Sequence, residues 1–331
     1  MRVFRPLIQS GSVLPDGAFR LLEGPFWFTH AEELKYNKVP VLCEASKIPV
    51  EILERMTKRP LPRAGLSFDE PRVMGVLNLT PDSFSDGGKL KNLGDAVKVA
   101  QSMVDAGADI LDIGGESTRP GAKTVPVTEE IQRIQPLILE LVKRMNVKLS
   151  IDTRKAQVAE VAIGAGMHLV NDVSGFKYDN HLAPLCAQRG VSVCLMHSSG
   201  EPETMQQKIS YQDVVLDVYA FFEEQIDILV SAGIARDQII IDPGIGFGKT
   251  TRHNLALIQH IATFHGLGCP ILLGVSRKGF IGEIGNEPQA IERWPGSIAV
   301  GLKALDQGVQ ILRVHDVSLT RQALRLWQAL N

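Results

Sequence analysis

The sequence contains no apolar stretch that approaches the roughly 20 residues needed to span a bilayer. Its first six residues, Met1 to Pro6, lack the apolar core of a secretory signal. The formal net charge is only −2, so the chain has no large excess of charge that nucleic acid or a membrane surface could recognise. These absences predict a soluble, cytoplasmic protein with no nucleic-acid partner and no membrane partner.

Cysteine is also scarce, and its spacing argues against two common kinds of site. The four cysteines, Cys43, Cys186, Cys194 and Cys269, are far apart and form no Cys-x-x-Cys pair. Three of them lie in or beside apolar runs. We therefore expect buried, reduced thiols rather than disulfides or a zinc site.

Nucleotide-binding fingerprints are missing too. Residues 244–250 resemble a P-loop, but a Walker A motif would need glycine at the position that Pro243 occupies. The glycine spacing does not match the Rossmann motif either. We interpret these glycines as places where the backbone passes close to a bound ring or a neighbouring loop, and Lys249 as a solvated side chain.

The sequence divides into two parts, and the first of them, residues 1–66, is rich in proline. Residues 1–66 also contain the aromatic cluster Phe26-Trp27-Phe28, which indicates a small core rather than a disordered tail. Pro49 precedes a helical pattern that runs to Met56. We predict a small appended α+β domain over residues 1–66, with 57–66 as a linker, and no motif in it names a function.

From residue 73 onward, apolar runs alternate with helical patterns. Eight such units in about 260 residues predict a (β/α)₈ TIM barrel over residues 67–331. The competing architecture, a doubly wound open sheet, is disfavoured by the number of units and by the missing dinucleotide fingerprint. Ser297 and Ser318 are placed as N-caps of the last two long helices. The eight runs are 73–77, 109–113, 148–152, 168–172, 191–197, 239–242, 271–276 and 311–316.

A barrel of this kind carries its functional groups at the carboxyl ends of its strands. One buried acid at a strand end can be structural, but polar groups at nearly every strand end describe one polar cup at the barrel mouth. The cup consists of Asn78, residues 114–116, Asp152, Asn171, Asp172, His197, Asp242, residues 276–278, His315 and Asp316.

The cup has two chemical characters. Some of its groups have no strong cation beside them in the sequence and suit the amino, amide and ring N–H edges of a flat heterocycle. They are Asp152, Asn171 and Asp242. Others are basic and, with the amide of Asn78, suit a phosphate-bearing group accompanied by Mg²⁺. They are Lys278, Arg313 and His315. Two polar, glycine-bearing loops, 83–91 and 117–122, are placed to fold over the mouth as lids.

Two motifs in this half of the chain are highly specific: Leu-Asn-Leu-Thr-Pro-Asp-Ser-Phe-Ser-Asp-Gly-Gly (77–88) and Gly-Gly-Glu-Ser-Thr-Arg-Pro-Gly-Ala (114–122). The others are Ser-Ile-Asp-Thr (150–153), Val-Asn-Asp (170–172), Leu-Met-His (195–197), Asp-Pro-Gly-Ile-Gly-Phe-Gly-Lys (242–249), Ser-Arg-Lys (276–278) and Arg-Val-His-Asp (313–316). In this order they resemble the dihydropteroate synthase family. The resemblance implies a folate-pathway transferase that condenses 6-hydroxymethyl-7,8-dihydropterin pyrophosphate with p-aminobenzoate and releases pyrophosphate.

The resemblance also implies roles for individual residues. Contacts to the pterin are implied for Asp152, Asn171, Asp242 and Lys278, and substrate contacts are implied for Met196 and Phe247. Pyrophosphate and Mg²⁺ would be held by Asn78, Arg313 and His315, with Asn78 as the metal ligand. The mobile loops that complete the p-aminobenzoate site would contribute Phe84, Asp86, Thr118, Arg119 and Pro120. Catalytic roles would fall to Asp86, Arg119, Asp152, Asp242 and Lys278. A homodimer and a sulfonamide target are implied as well.

One position departs from the family pattern. Many members carry serine after Ser-Arg-Lys, where its hydroxyl and backbone bind the p-aminobenzoate carboxylate, but here the residue is Gly279. Its N–H can still bind an anion at a helix start, whereas the hydroxyl contact is absent.

The implied chemistry needs no activated nucleophile, because an aromatic amine is already neutral at pH 7. We therefore assign His315 to anion binding rather than to general-base catalysis, and expect an anionic Asp152 or Asp242 to favour positive charge on the pterin methylene. Two rival functions would use the same pterin half: a corrinoid- or folate-dependent methyltransferase, and a non-catalytic pterin-binding barrel. The lid motifs disfavour both, and residues 276–278 also disfavour the methyltransferase.

Overall fold

The computed structural model describes residues 2–11, 13–79, 92–117, 121–200, 205–206 and 209–331. The N-terminal extension contains a small three-stranded antiparallel sheet, whose middle strand begins at His30. A short hairpin and one helix complete the extension. Its elements are β1 (Val3–Pro6), β2 (Phe19–Arg20), β3 (Trp27–Phe28), β4 (His30–Leu34), β5 (Val41–Glu44) and α1 (Val50–Thr57).

The rest of the chain contributes a closed, all-parallel sheet surrounded by helices. The strands are β6 (Arg72–Asn78), β7 (Ile110–Gly114), β8 (Lys148–Asp152), β9 (Leu169–Asp172), β10 (Ser192–Met196), β11 (Ile239–Asp242), β12 (Leu272–Leu273) and β13 (Ile311–Val314). They follow one another around the sheet, and a bridge between Ile241 and Ile271 closes it. The predicted (β/α)₈ barrel is confirmed.

Helices lie between the barrel strands and cover the sheet. In chain order they are α2 (Leu93–Asp105), α3 (Val127–Arg144), α4 (Ala156–Gly164), α5 (Leu182–Arg189), α6 (Val214–Ser231), α7 (Thr251–Gln259), α8 (Gly279–Ile284), α9 (Trp294–Leu305) and α10 (Val317–Leu330). A 3₁₀ helix, Ile261–Leu267, follows α7. None of the described helices is both long and apolar enough to cross a membrane.

The inner faces of the strands change from apolar to polar along the barrel axis. The first halves of the strands, with Phe68 from the segment before β6, supply an apolar floor, consisting of Phe68, Met74, Ile110, Leu169, Cys194, Ile240, Leu272 and Ile311. Strand side chains alternate between faces, so the next inward position lies two residues further along. Those positions hold Val76, Asp112, Asn171, Met196, Asp242, Gly274 and Arg313, of which Asp112, Asn171, Asp242 and Arg313 are polar. A two-residue period therefore places a polar layer directly above the floor.

The segment that leads into the barrel closes the floor from below. Ala64 and Leu66 pack against the floor residues. Arg63 is buried and directs its Nε toward the Ile239 carbonyl at 3.5 Å, while the Ala64 N–H donates to Ser192 Oγ at 2.9 Å. The prediction of a linker at 57–66 is therefore wrong for its last residues, because the apolar bottom of the barrel needs a cover.

The extension packs along the outside of the helix layer. The rings of Phe26 and Trp327 lie 5.8 Å apart between centroids, and Val3 and Leu34 belong to the same buried cluster as the barrel core. The connection between β4 and β5 reaches the mouth end of α6, where Tyr36 Oη donates to Asp217 at 2.8 Å. The division of the chain at residue 66 and the role of the extension stay predictions.

Two helix starts differ from the sequence prediction. Ser297 and Ser318 lie inside α9 and α10 rather than at their N-caps. Pro295 occupies the first turn of α9, where its fixed φ suits a helix start. The Ser297 hydroxyl instead donates to the Arg293 carbonyl at 2.8 Å and accepts from the Arg277 N–H at 2.9 Å. The four cysteines are free thiols, and three of them are buried, as predicted.

A protein that begins at Leu61 should keep its turnover within about tenfold of the full chain, a barrier change of about 1.4 kcal/mol. The barrel floor and every described residue of the mouth remain in it. Its unfolding temperature should fall, because Phe26 and Leu34 no longer cover the outer helices. Steady-state kinetics and thermal unfolding test both statements. A folded protein of this length without turnover would place the extension in the active site.

Candidate active site

The polar layer is organised around one guanidinium group. Arg313 Nε donates to Asp112 Oδ2 at 2.6 Å, and Arg313 Nη2 donates to Asp152 Oδ2 at 2.8 Å. Asp112 also accepts from Asn171 Nδ2 at 3.1 Å and from Ser150 Oγ at 2.6 Å. Strands β7, β8, β9 and β13 are thereby joined across the inside of the barrel.

Asp112 was missed by the sequence analysis, although it is fully buried and accepts from three side chains. It lies two residues before the end of β7, whereas the prediction considered only strand ends. The inward position that follows the floor residue Ile110 is the signal that could have found it.

Asp152 is poised to accept or donate a further hydrogen bond. Burial raises its pKa to about 8; Arg313 opposes this rise, and the negative charge of Asp112 adds to it. One guanidinium cannot neutralise two buried carboxylates, so a retained proton is physically reasonable. Among the residues that the structure describes, the buried Asp152 Oδ1 has no hydrogen-bond partner. A buried polar atom of this kind is costly unless a ligand satisfies it.

Asp242 and Lys278 form the next part of the mouth. Asp242 is buried and accepts from the Gly244 N–H at 2.8 Å. Burial raises the pKa of its carboxyl, while the Gly244 hydrogen bond and the charge of Lys278 pull it back. Lys278 Nζ lies 4.1 Å from the centre of the Phe247 ring, a cation–π geometry. Phe247 and Lys278 are both half-buried.

Lys249 is buried, so its interpretation as a solvated side chain is wrong. Its ammonium lies between the loops that follow β10 and β11 and meets His197 Nδ1 at 2.8 Å. Burial lowers the pKa of Lys249 to about 7. Burial, and then the charge of Lys249, lower the pKa of His197 well below its usual value, so this imidazole is neutral at pH 7. A neutral ring can accept through Nδ1.

The loops that follow β12 and β13 are joined to each other. His315 Nδ1 lies 3.0 Å from Ser276 Oγ, and the His315 N–H donates to the same oxygen at 3.1 Å. Arg277 has φ of +60° and donates through Nε to Asp316 Oδ2 at 3.0 Å. The two basic motifs named in the sequence analysis therefore form one rim.

Comparison with known proteins identifies this arrangement. The model of the family described as pterin binding enzyme matches residues 74–315. Over 264 residues the chain is 46% identical to the dihydropteroate synthase of Escherichia coli K12, covering 80% of this chain and 93% of that protein. Among solved structures, the Yersinia pestis dihydropteroate synthase with a sulfonamide drug has a TM-score of 0.78 at 43% identity, covering 82% of this chain and 98% of that one. The Xanthomonas albilineans enzyme with 4-aminobenzoic acid has a TM-score of 0.76 at 44% identity, with coverage of 82% and 97%.

The chain belongs to the dihydropteroate synthase family. It is a transferase, and its reaction is the condensation of 6-hydroxymethyl-7,8-dihydropterin pyrophosphate with p-aminobenzoate. The methyltransferase and the non-catalytic barrel are thereby set aside.

Within this site, the structure brings most of the expected residues together. Asp152, Asn171, Met196, Asp242 and Arg313 line the inside of the barrel above its floor. Asn78 lies at the end of β6, beside Gly114. A Cβ on Gly114 would lie 3.3 Å from Asn78 Oδ1 and 3.5 Å from Asp152 Cβ, so glycine lets these two side chains approach.

Five implied site residues lie outside the described part of the chain, as does the first predicted lid. They are Phe84, Asp86, Thr118, Arg119 and Pro120. Their roles stay predictions. The described residues that flank 118–120 form a buried ionic network. Glu116 accepts from Lys155 Nζ at 2.7 Å, from Arg154 Nε at 2.9 Å and from the Val125 N–H at 2.7 Å.

The effect of Asp152→Asn on the unfolding temperature, relative to the wild type, should become more stabilising from about pH 4 to pH 8. The unfolded carboxyl ionises near 3.8, whereas in the fold it keeps its proton up to about 8. The folded wild type therefore binds more protons in this window and loses stability as the pH rises through it. Asparagine does not titrate and removes that loss.

Thermal unfolding at pH 5 and pH 8 is the measurement. Asp227→Asn, at a side chain that is 79% exposed, is the matched control and should give no pH-dependent gain. An Asp152→Asn effect that is equally or less stabilising at pH 8 would contradict the raised pKa.

Proposed function

We propose that the polar layer binds the pterin ring and that the basic rim beside it holds the pyrophosphate of the same substrate. The observation that carries this proposal is the buried Asp152 carboxyl, which has one oxygen without a partner among the described residues and a pKa raised to about 8. Together with Asp242 and the amide of Asn171, it offers the donors and acceptors that a ring with amino, amide and N–H edges requires.

In the reaction, the bond between the exocyclic pterin methylene and the pyrophosphate oxygen breaks, and its electron pair leaves with pyrophosphate. The amine nitrogen of p-aminobenzoate forms the new C–N bond and then loses a proton. Lys278 and Arg313 stabilise the negative charge that grows on the leaving group. Asp242 lies inside the same barrel, and the negative charge of its carboxylate favours positive charge on the pterin methylene.

We infer that Mg²⁺ accompanies the pyrophosphate, with Asn78 Oδ1 as its protein ligand. Among the residues that the structure describes, no group of three or more His, Cys, Asp or Glu side chains could hold a metal ion. One amide oxygen, from Asn78, together with the pyrophosphate of the substrate suits Mg²⁺. This ion keeps several waters and commonly takes substrate phosphates plus one or two protein oxygens. A bound Mg²⁺ would offset charge on the leaving pyrophosphate.

Further properties of the relatives carry over as proposals. A sulfonamide bound to the Yersinia pestis enzyme supports competition between sulfonamides and p-aminobenzoate here. A homodimer is supported by exposed apolar side chains at and beyond the start of α9, namely Trp294, Leu319, Leu326 and Leu330. The composition described above supports a cytoplasmic location.

The proposed function predicts that pyrophosphate release needs pterin pyrophosphate, p-aminobenzoate and Mg²⁺ together. A chelator should stop turnover, and added Mg²⁺ should restore it. Arg313→Ala should lose turnover, whereas Arg189→Ala, at a surface guanidinium that is 46% exposed, should retain it. A coupled pyrophosphate assay measures all of these. Release that does not depend on p-aminobenzoate would contradict the proposal.

Gly279→Ser should lower the KM for p-aminobenzoate by about two- to tenfold, which corresponds to one hydrogen bond of about 0.5–1.5 kcal/mol. Within the described part of the chain, a Cβ at Gly279 would meet no atom within 4 Å, so the side chain fits without displacing a described neighbour. The matched variant Gly279→Ala adds the Cβ without the hydroxyl and should leave the KM unchanged. Equal effects of alanine and serine would show that the hydroxyl makes no contact.

A further inference from the structure

The ammonium of Lys249 gathers polar atoms from two loops at the barrel mouth. Its Nζ lies 3.0 Å from the Gly244 carbonyl, 3.1 Å from the Phe247 carbonyl and 3.2 Å from the His197 carbonyl. Its Nζ also lies 2.8 Å from His197 Nδ1, so four polar atoms surround this one nitrogen. Three carbonyl oxygens that converge in a buried place repel one another unless a donor satisfies them, and the three N–H bonds of an ammonium do so.

The two loops that Lys249 joins approach each other so closely that side chains are excluded. A Cβ on Gly244 would lie 1.9 Å from the His197 carbonyl oxygen, and one on Gly248 would lie 1.6 Å from Ser199 Oγ. Both glycines have positive φ, +65° and +61°. Such a path is available only to glycine, and it brings the carbonyl groups within reach of the ammonium.

Phe247 belongs to the loop that Lys249 joins, and its ring contacts Lys278. The Phe247 carbonyl accepts from Lys249, while the ring of the same residue lies under Lys278 Nζ at 4.1 Å. Gly246 lies beside the Lys278 stem, where a Cβ would come within 3.3 Å of Lys278 Cδ. The location of Lys278 thus depends on the loop 244–248, which Lys249 fixes through hydrogen bonds.

We propose that Lys249 is a positioning residue, which fixes the loop 244–248 and, through Phe247, sets the location of Lys278 in the pterin site. The inference rests on the proposed function, because Lys278 matters to the substrate only if the mouth binds pterin pyrophosphate. An apolar side chain could fill the space of Lys249 without the desolvation cost of a buried amine. It could not satisfy the converging carbonyl groups.

The test is a double-mutant cycle on binding of a pterin analogue, measured by titration calorimetry. Lys249→Met removes the ammonium at similar size, and Phe247→Ala removes the ring. Each variant should weaken binding by about tenfold or more, and the double variant should bind within about threefold of the weaker single variant, because both act through one contact. Losses that multiply, or unchanged affinity in Lys249→Met, would overturn the proposal.

A stability control separates positioning from general destabilisation. Leu229→Ala empties a fully buried site on α6, within the core, and should keep the wild-type affinity even though it unfolds more readily. Lost affinity in this control would mean that destabilisation alone explains the effect, which would also overturn the proposal. If Lys249→Met does not fold, Lys249→Gln, which keeps two N–H donors without charge, takes its place in the cycle. A wild type that binds no pterin analogue would instead remove the proposed function itself.

Discussion

The Arg313 guanidinium, held between Asp112 and Asp152, is the interaction on which the rest of the site depends. Its two hydrogen bonds, of 2.6 and 2.8 Å, join β13 to β7 and β8 across the inside of the barrel. An isolated buried charge is costly, and breaking a buried pair by removing one partner commonly costs about 3–5 kcal/mol. Without Arg313, two carboxylates would face each other above an apolar floor. Its presence lets this barrel carry a polar layer where packing alone would favour aliphatic side chains.

The buried charged groups of that layer reduce the stability of the fold but prepare the site for a substrate. Burial raises the pKa of Asp152 to about 8; Arg313 opposes this rise, and the charge of Asp112 adds to it. Between the loops that follow β10 and β11, burial lowers the pKa of Lys249 to about 7. Opposite pKa shifts within one site are typical of functional sites, where the fold keeps groups in states that water would not favour. A substrate that supplies the missing partners recovers part of this cost.

The sequence was sufficient for the features that depend on local periodicity. Alternation of apolar runs and helical patterns located the eight strands, and the polar residues at their ends located Asp152, Asn171 and Asp242. It failed where the answer depends on which distant segments meet. Asp112 acquires its role from Arg313, 201 residues away. Lys249 is buried because two loops converge on it, and Ser297 supports the loop at Arg277 instead of capping its own helix. The segment that ends at Leu66 reads as a linker by composition, yet it covers the barrel floor.

The central claim is that the polar layer above the apolar floor recognises the pterin ring. Calorimetric titration of 6-hydroxymethylpterin, which lacks the pyrophosphate, into the wild type and into Asp152→Asn and Asp242→Asn tests it most directly. The account predicts a loss of affinity of about tenfold or more in each variant, equivalent to about 1.4 kcal/mol, with circular dichroism unchanged. Wild-type affinity in both variants would contradict it.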